Sequence, residues 1–403
     1  MKKRNTCLKL LPVVLLGLAL PETSLSNSFY SRYGIGLLRY RDGVKAIGMG
    51  SVSFAITDSV SIFILNPATM ASLNTTHIQG AYLYERATVH LPIADAKFQN
   101  SIFEGVAILF PIKTGQAIAM GLQPYSRANY EFRDLGEVEG KVYEQILSGS
   151  GGLSNAYFAF AGTHGPMRIG LALDFYFGVI EKNWRVNYVD GQFINTEDRI
   201  VTNLLGLGLH TGIHMVFDRW QFGAAIAPPV RLSAETRLQT RFNPVSEPEE
   251  DDLVLPSWFG MGLAYRPGAR LLLATQFRVQ PWSTVSQQEA LGAKGEDSYT
   301  LGFGLEYSPG SKRREDAQKR VQFRLGATLS QLPYQDESGS AIPELTATAG
   351  LGLPFNQGQS RFDFALEYGK RGSQPGNPVE ENIFRFSASV SGGERWFQRR
   401  GRR

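Results

Sequence analysis

His210 and His214 stand four residues apart. On a helix that spacing puts two imidazoles on one face, where they can share a metal ion. On a strand, at ~3.3–3.4 Å per residue, they stand roughly 13 Å apart and cannot. They fall in a stretch read as a strand, 198–217, on the side of Gly206, Gly208 and Gly212. We therefore read them as lumen-facing histidines, with no metal site. No Gly-x-Ser-x-Gly elbow, His-Glu-x-x-His helix or phosphate loop occurs. A Ser and a His opposed across neighbouring strands is the one enzymatic arrangement that spacing leaves open. Cys7 is the only cysteine, so no intrachain disulfide forms, and it precedes the apolar leader stretch, so it is not a lipid-attachment site. We expect no enzyme and no cofactor.

The elements that carry these residues follow one pattern, clearest at Tyr299–Tyr307. Tyr299, Leu301, Phe303, Leu305 and Tyr307 alternate with Thr300, Gly302, Gly304 and Glu306. Successive side chains of a strand point to opposite faces, so one face here is apolar and the other small or polar. The same alternation recurs at Ile169–Phe177, Phe259–Arg266, Val321–Leu329, Phe362–Tyr368 and Phe384–Ser391. We read fourteen strands, roughly 78–91, 102–112, 116–132, 138–164, 167–182, 198–217, 219–236, 254–267, 269–281, 296–309, 319–332, 343–356, 360–371 and 380–396. Gly149, Gly151 and Gly152 are read as a kink inside one long strand.

Glycine is abundant, 43 of 403 residues, which suits strands rather than helices. Lys2, Lys3, Arg4 and Lys9, an apolar Leu10–Leu20 stretch and small residues at Ser24 and Ser26 form a secretory signal, residues 1–26. That leader carries a net +3 of the chain's +4, leaving +1. The basic pI therefore reports the leader and the Arg399, Arg400, Arg402, Arg403 tail, residues 398–403, and nucleic acid is not an expected partner. No later run of 18 apolar residues occurs, which excludes membrane-spanning helices.

An exported chain of long two-faced strands is either a soluble β protein or an outer-membrane barrel. A sandwich uses strands of about five or six residues, whereas these run about 11–20, long enough to cross a bilayer with tilt. Tyr and Phe at strand ends fit the water boundaries. Backbone groups in hydrocarbon must all be paired, so the sheet must close. We expect an all-β fold: one transmembrane antiparallel barrel of about fourteen strands over 77–397. Short connections alternate with long polar ones, including the acidic Glu247–Asp252, so both termini are placed in the periplasm. A barrel of this size would leak if unfilled, and 27–76 has the place and size of a plug. Inward glycines such as Gly260, Gly302, Gly304 and Gly350 let another backbone come close. Inward charges, Asp174, Glu306, Arg324, Asp363 and Glu367, are expected to neutralise one another.

The stretch Gly43-Val-Lys-Ala-Ile-Gly-Met-Gly-Ser-Val-Ser-Phe-Ala-Ile-Thr-Asp58, followed by Asn66-Pro67-Ala68, resembles the N-terminal signature of FadL-type outer-membrane transporters of long-chain fatty acids and other hydrophobic compounds. Ser51 and Thr69 depart from that signature, which has glycine at both places. The resemblance implies a hatch inside a fourteen-stranded barrel, with Gly48, Gly50, Asn66, Pro67 and Ala68 as hatch or ligand-gating residues. It implies passive transport of a hydrophobic small molecule across the outer membrane of a Gram-negative-type bacterium, by a monomer surrounded by outer-membrane lipid and lipopolysaccharide. Two alternatives remain open: a FadL-like barrel serving as scaffold or partner in a surface protein secretion system, and a general porin.

Overall fold

The computed structural model describes residues 28–394 except 40–41, 91–94, 139, 189–192, 242–245, 286–294, 310–320, 337 and 373–378. The expected leader, the Arg-rich tail and the whole of the charged 311–319 connection lie outside the described residues. The remainder forms a closed barrel of fourteen antiparallel strands. They are β1 (Thr76–His90), β2 (Asp95–Lys113), β3 in two segments (Gln116–Pro124 and Tyr130–Val138), β4 (Lys141–His164), β5 (Met167–Tyr188) and β6 (Thr196–Phe217). Then come β7 in two segments (Trp220–Ala227 and Val230–Thr240) and β8 in two segments (Glu249–Leu255 and Trp258–Gly268). The ring is completed by β9 (Leu271–Gln280), β10 (Ser298–Tyr307), β11 (Gln322–Gln335), β12 (Ala341–Phe355), β13 (Ser360–Arg371) and β14 (Glu380–Glu394).

Closure is made by β14 on β1, in register from Glu380↔His90 to Glu394↔Thr76. The register keeps like faces together: Phe277, Leu301 and Leu329 lie side by side across β9–β11, as do Gln276, Gly302 and Thr328. A slip of one residue would turn every apolar side chain into the lumen. The outward face is bare of cover, with Leu207 75% and Leu325 61% exposed. Only a bilayer makes such a surface stable, so this is a membrane-spanning barrel.

The strands run further than their apolar parts. β5 continues to Tyr188, and the acidic run Glu249–Asp252, expected in a loop, is the outer end of β8, paired with Ser233–Thr236. Beyond the bilayer the ladder needs no apolar side chains, so periodicity does not mark it. β7 breaks at Pro228-Pro229 and β8 at Pro256, where the missing N–H ends the ladder.

The interruption of β3 differs in kind. Residues 125–129 leave the wall inward, and Arg127 and Ser126 pair with Leu37 and Leu38. Gly151 and Gly152 of β4 adopt φ of 102° and 138° opposite this bulge. An added Cβ on Gly152 would strike the carbonyl of Ser126. The glycine kink is real, although its strand begins at Lys141 and its neighbour reaches Val138. The detour leaves a seam. β2 pairs β3 only from Val106↔Leu122 to Lys113↔Gln116, and no ladder joins Asp95–Gly105 to Tyr130–Val138.

The segment from Ser28 to Thr75 lies inside the ring. Its elements are short: a 3-10 turn at Phe29–Arg32 capped by Ser28, the helix α1 (Gly43–Ile47), and a 3-10 turn at Pro67–Ser72 capped by Asn66. None is long enough to hold itself. Burial holds them instead. Ala46, Met49, Val52, Ala55, Ile56 and Phe63 pack on Ala264, Leu272 and Ala274 of the wall. Ile62, Ile64, Met70 and Leu73 pack on Leu109, Ala117, Ala119, Ala159 and Ala161. The wall supplies small residues where the segment supplies large ones, which is how a bore is filled to interior density.

Candidate functional site: the plug, its fastenings and the wall cavity

Six charges tie the segment to the wall near the short-turn end of the barrel. Lys45 of α1 lies 3.0 Å from Glu306 and 3.3 Å from Asp58. Arg324 reaches Glu306 at 2.8 Å and Asp363 at 2.6 Å. Arg361 reaches Asp363 at 2.8 Å and Asp58 at 2.6 Å. The contacts form a closed ring of alternating sign, three cations and three carboxylates, all buried. Two members come from the plug and four from β10, β11 and β13. Buried charges are tolerable only when paired this fully. Glu306, Arg324 and Asp363 were legible as inward charges; Lys45, Asp58 and Arg361 were not foreseen.

Burial acts to raise the Asp58 carboxyl, and the Arg361 and Lys45 charges overcome it, holding the group well below its ordinary value of 3.8. A depressed carboxylate contributes stability that is complete above its unfolded value and is lost as pH falls through the folded value. Asp58 therefore keeps its charge throughout mild acid. Conductance of the barrel in planar bilayers is expected to stay low from about pH 8 down to about pH 5, with leak appearing only in stronger acid. A barrel that opens near pH 6 would contradict this assignment.

A second network fastens the other end of the segment. Arg39 pairs with Glu85 at 3.1 Å; Glu85 pairs with Arg385, which reaches Glu344 at 2.8 Å. Arg371 joins Glu344 and Glu381 at 2.7 Å each. Glu381 accepts from the Ser28 hydroxyl and the Phe29 N–H, both at 2.7 Å. The chain of charges thus begins and ends on the plug.

The two histidines have separate duties. His210 Nδ1 lies 2.6 Å from Asp174 and its Nε2 2.8 Å from the Ile64 carbonyl. Its two nitrogens thus face a carboxyl group of the wall and a backbone carbonyl of the plug. His214 Nδ1 accepts from Arg168 at 3.0 Å, leaving Nε2 to donate to the Ala55 carbonyl at 3.2 Å. That ring is neutral. Each holds a different carbonyl of the plug.

The five residues expected to gate are not gathered in one place. Gly48 and Gly50 abut β10–β12: a Cβ on Gly48 would lie 2.9 Å from Gly350 Cα. Gly50, at φ 68°, donates to Thr348 Oγ1 at 3.0 Å. Ser51 also takes a positive φ, 60°. Asn66 donates to the carbonyls of Phe54 (2.7 Å) and Ile213 (2.9 Å) and caps Ala68, with Pro67 at the first turn position. Ala68 rests on Gly170 of β5. Glycines 212, 260, 302, 304 and 350 admit the plug as expected, whereas Gly206 and Gly208 meet Leu232 and Val230 of the barrel's own wall.

Two cavities flank the plug. One, of about 120 Å³, has Leu37, Leu38 and Leu65 on the plug side and Arg278, Glu344 and Arg385 among its polar wall residues. The other, of about 40 Å³, sits where the β2–β3 ladder ends, between Asp42, Ile62 and Ile64 of the plug and Gly105, Val106 and Leu122 of the wall. Leu122 is 40% exposed on the bilayer face, so this cavity reaches the seam.

The model of the BamG family matches residues 3–401, almost the whole chain. The chain belongs to the BamG family. This BamG protein matches no functionally curated protein in sequence. Its barrel is similar to that of a Pseudomonas aeruginosa FadL homologue, with a TM-score of 0.63 at 12% identity over 89% of this chain and 99% of the other. The CymD monoaromatic hydrocarbon channel gives 0.59 at 14% identity over 89% and 99%. The Pseudomonas putida toluene transporter TodX gives 0.58 at 14% over 89% and 100%. At these identities the likeness is one of fold alone.

Proposed function

We propose that the barrel passes small hydrophobic molecules from the outer lumen sideways into the bilayer, with the plug left in place. The observation that carries this reading is the seam beside Gly105, where a cavity touches the plug on one side and the bilayer-facing Leu122 on the other. The ring of six charges stands against passage straight into the periplasm. The motive force is transfer of apolar surface out of water, about 25 cal/mol per Å². The larger cavity, about 120 Å³, is near the roughly 150 Å³ that houses benzene, so a single aromatic ring suits it better than a long-chain acid.

Uptake of radiolabelled toluene and oleate by cells with and without the gene tests this. Faster toluene entry with the gene is expected, with little effect on oleate. Equal entry of both in the two strains would end the transport reading. A second reading has its own support. The larger cavity is lined by Arg278, Arg371, Arg385, Glu344 and Glu367 as well as leucines, a costly surface for an apolar solute. That favours a stoppered scaffold for surface protein secretion, acting through its outer strands. Co-purification of outer-membrane or surface proteins with the detergent-extracted barrel, combined with the absence of uptake, is the result that reading requires.

A further inference from the structure

The two faces of the wall exchange character above the bilayer. Along β5 the outward series is apolar through Phe175, Phe177 and Val179 and continues as Glu181, Asn183 and Arg185. On β6 Leu205 and Val201 give way to Arg199 and Glu197, and on β7 Arg237 and Gln239 lie opposite Val201 and Arg199. The inward series changes in the other sense, with Trp184, Ile200 and Leu238 exposed on the lumen side. Water alone asks that the outward face be polar. It does not ask for arginine on adjacent strands just above the apolar belt. Arg185, Arg199 and Arg241 line an outer groove of about 590 Å³ that holds one carboxylate, Glu197. Arg185 and Arg199 are diagonal neighbours across the β5–β6 pair, a placement about 7–8 Å apart at Cα. Arg185 donates to Glu197 at 3.0 Å, Arg199 to Glu181 at 2.6 Å and Arg241 to the Asn195 carbonyl at 2.8 Å. A guanidinium has five N–H donors, and the Arg185 and Arg199 side chains are 47% and 46% exposed. Exposed ion pairs of this kind are worth little and give way to a more highly charged partner.

We propose that this groove binds the phosphorylated sugar headgroup of one lipopolysaccharide molecule, with Arg185 and Arg199 on a phosphate and the acyl chains lying down the wall over Val179, Leu205 and Leu207. The inference is independent of which function the barrel performs. Height supports it. Arg199 stands two residues beyond Val201, roughly 5 Å along the membrane normal at ~3.3–3.4 Å per residue and a tilt of ~40°. That is within the headgroup layer, about 5–7 Å deep on each side of the hydrocarbon. Arg185 lies opposite Glu197, one row further out. A headgroup that meets both rows must rise above the hydrocarbon boundary by more than a single glycerophosphate does, as a phosphorylated disaccharide can. Chemistry supports it too. The groove's cations are all arginine, whose planar fork matches phosphate oxygens two at a time. Asn187 and Gln239 on its rim supply amides, which donate to and accept from sugar hydroxyls.

The test is native mass spectrometry of the detergent-extracted barrel titrated with lipid A, dephosphorylated lipid A or phosphatidylglycerol, in buffer containing EDTA. The wild type is expected to retain one lipid A, about tenfold more tightly than either of the other two lipids, the worth of one hydrogen-bonded phosphate contact. Arg185→Gln and Arg199→Gln are each expected to weaken lipid A about tenfold and to leave dephosphorylated lipid A unchanged, a split that loosened packing would not produce. Glu197→Gln removes the groove's own negative charge and keeps an acceptor for Arg185, so lipid A is expected to bind about threefold more tightly. Arg219→Gln, at an exposed arginine of the short-turn rim, is the matched control and should change nothing. Heat-modifiable migration on gels reports that each variant is folded. Equal retention of lipid A and its dephosphorylated form overturns the inference, as does equal retention of phosphatidylglycerol. Binding that vanishes in EDTA overturns it as well, since carboxylates bridged by divalent cations would then hold the phosphate in place of the arginines. So does unchanged lipid A affinity in both arginine variants.

Discussion

Arg361→Ala is expected to turn a silent barrel into a conducting one. Arg361 holds Asp58 and Asp363 and also donates to Ser61 Oγ at 2.6 Å. Without it, the ring has three carboxylates and two cations, one of them on the plug, in a buried place. Removing one partner of a buried ion pair costs about 3–5 kcal/mol. That exceeds what a segment with only four- to six-residue helical turns can absorb, so the plug is expected to spend much of its time unseated. Steady single-channel conductance in planar bilayers should rise several-fold. The double variant Asp58→Ala, Arg361→Ala leaves Lys45, Glu306, Arg324 and Asp363, two of each sign, still in contact. It should therefore leak less than the single variant, and the two losses should fall well short of additive. Conductance equal to wild type in Arg361→Ala would show that the ring does not hold the plug.

Gly50→Ala should be as damaging by another route. Gly50 sits at φ 68°, where any side chain is strained. Its added Cβ would also lie 2.9 Å from the backbone N of Ala327 and against the carbonyls of Ala327 and Phe303. Those atoms belong to two hydrogen-bonded strands of a closed ring and cannot step aside. The plug is expected to fail to seat on β10–β12, at a cost of several kcal/mol. Protease access to the N-terminal segment from the periplasmic side should rise sharply. Gly80→Ala, where an added Cβ meets nothing within 4 Å, is the matched control. Equal protease resistance in the two variants would show that the plug is not pressed against this wall.

The barrel was legible because a bilayer imposes one rule on every crossing: large apolar residues outward, small or polar ones inward. Fourteen crossings and their order follow from it. The rule ends at the water boundary, which is why Asn183–Tyr188 and Glu249–Asp252 read as loops and are strand. The β3 bulge was missed because 125–129 contain neither glycine nor proline; Pro124 just before them was the available signal. Inside the lumen the residues on the strands could be assigned a side, and His210 and His214 were assigned correctly. Their partners could not be found, since Ile64, Ala55, Lys45, Asp58 and Asp42 lie in a segment with no periodicity. Irregular backbone held by tertiary contacts carries no local signature of where its side chains end up.

The closing pair, β14 on β1, joins residues about 300 apart in sequence, and the Ser28–Glu381 contact spans 353. The portion of the chain made first is thus enclosed by the portion made last. Closing the ring and fastening the early segment to it are therefore both contacts of very long sequence separation, and neither can form until the last strands have been made.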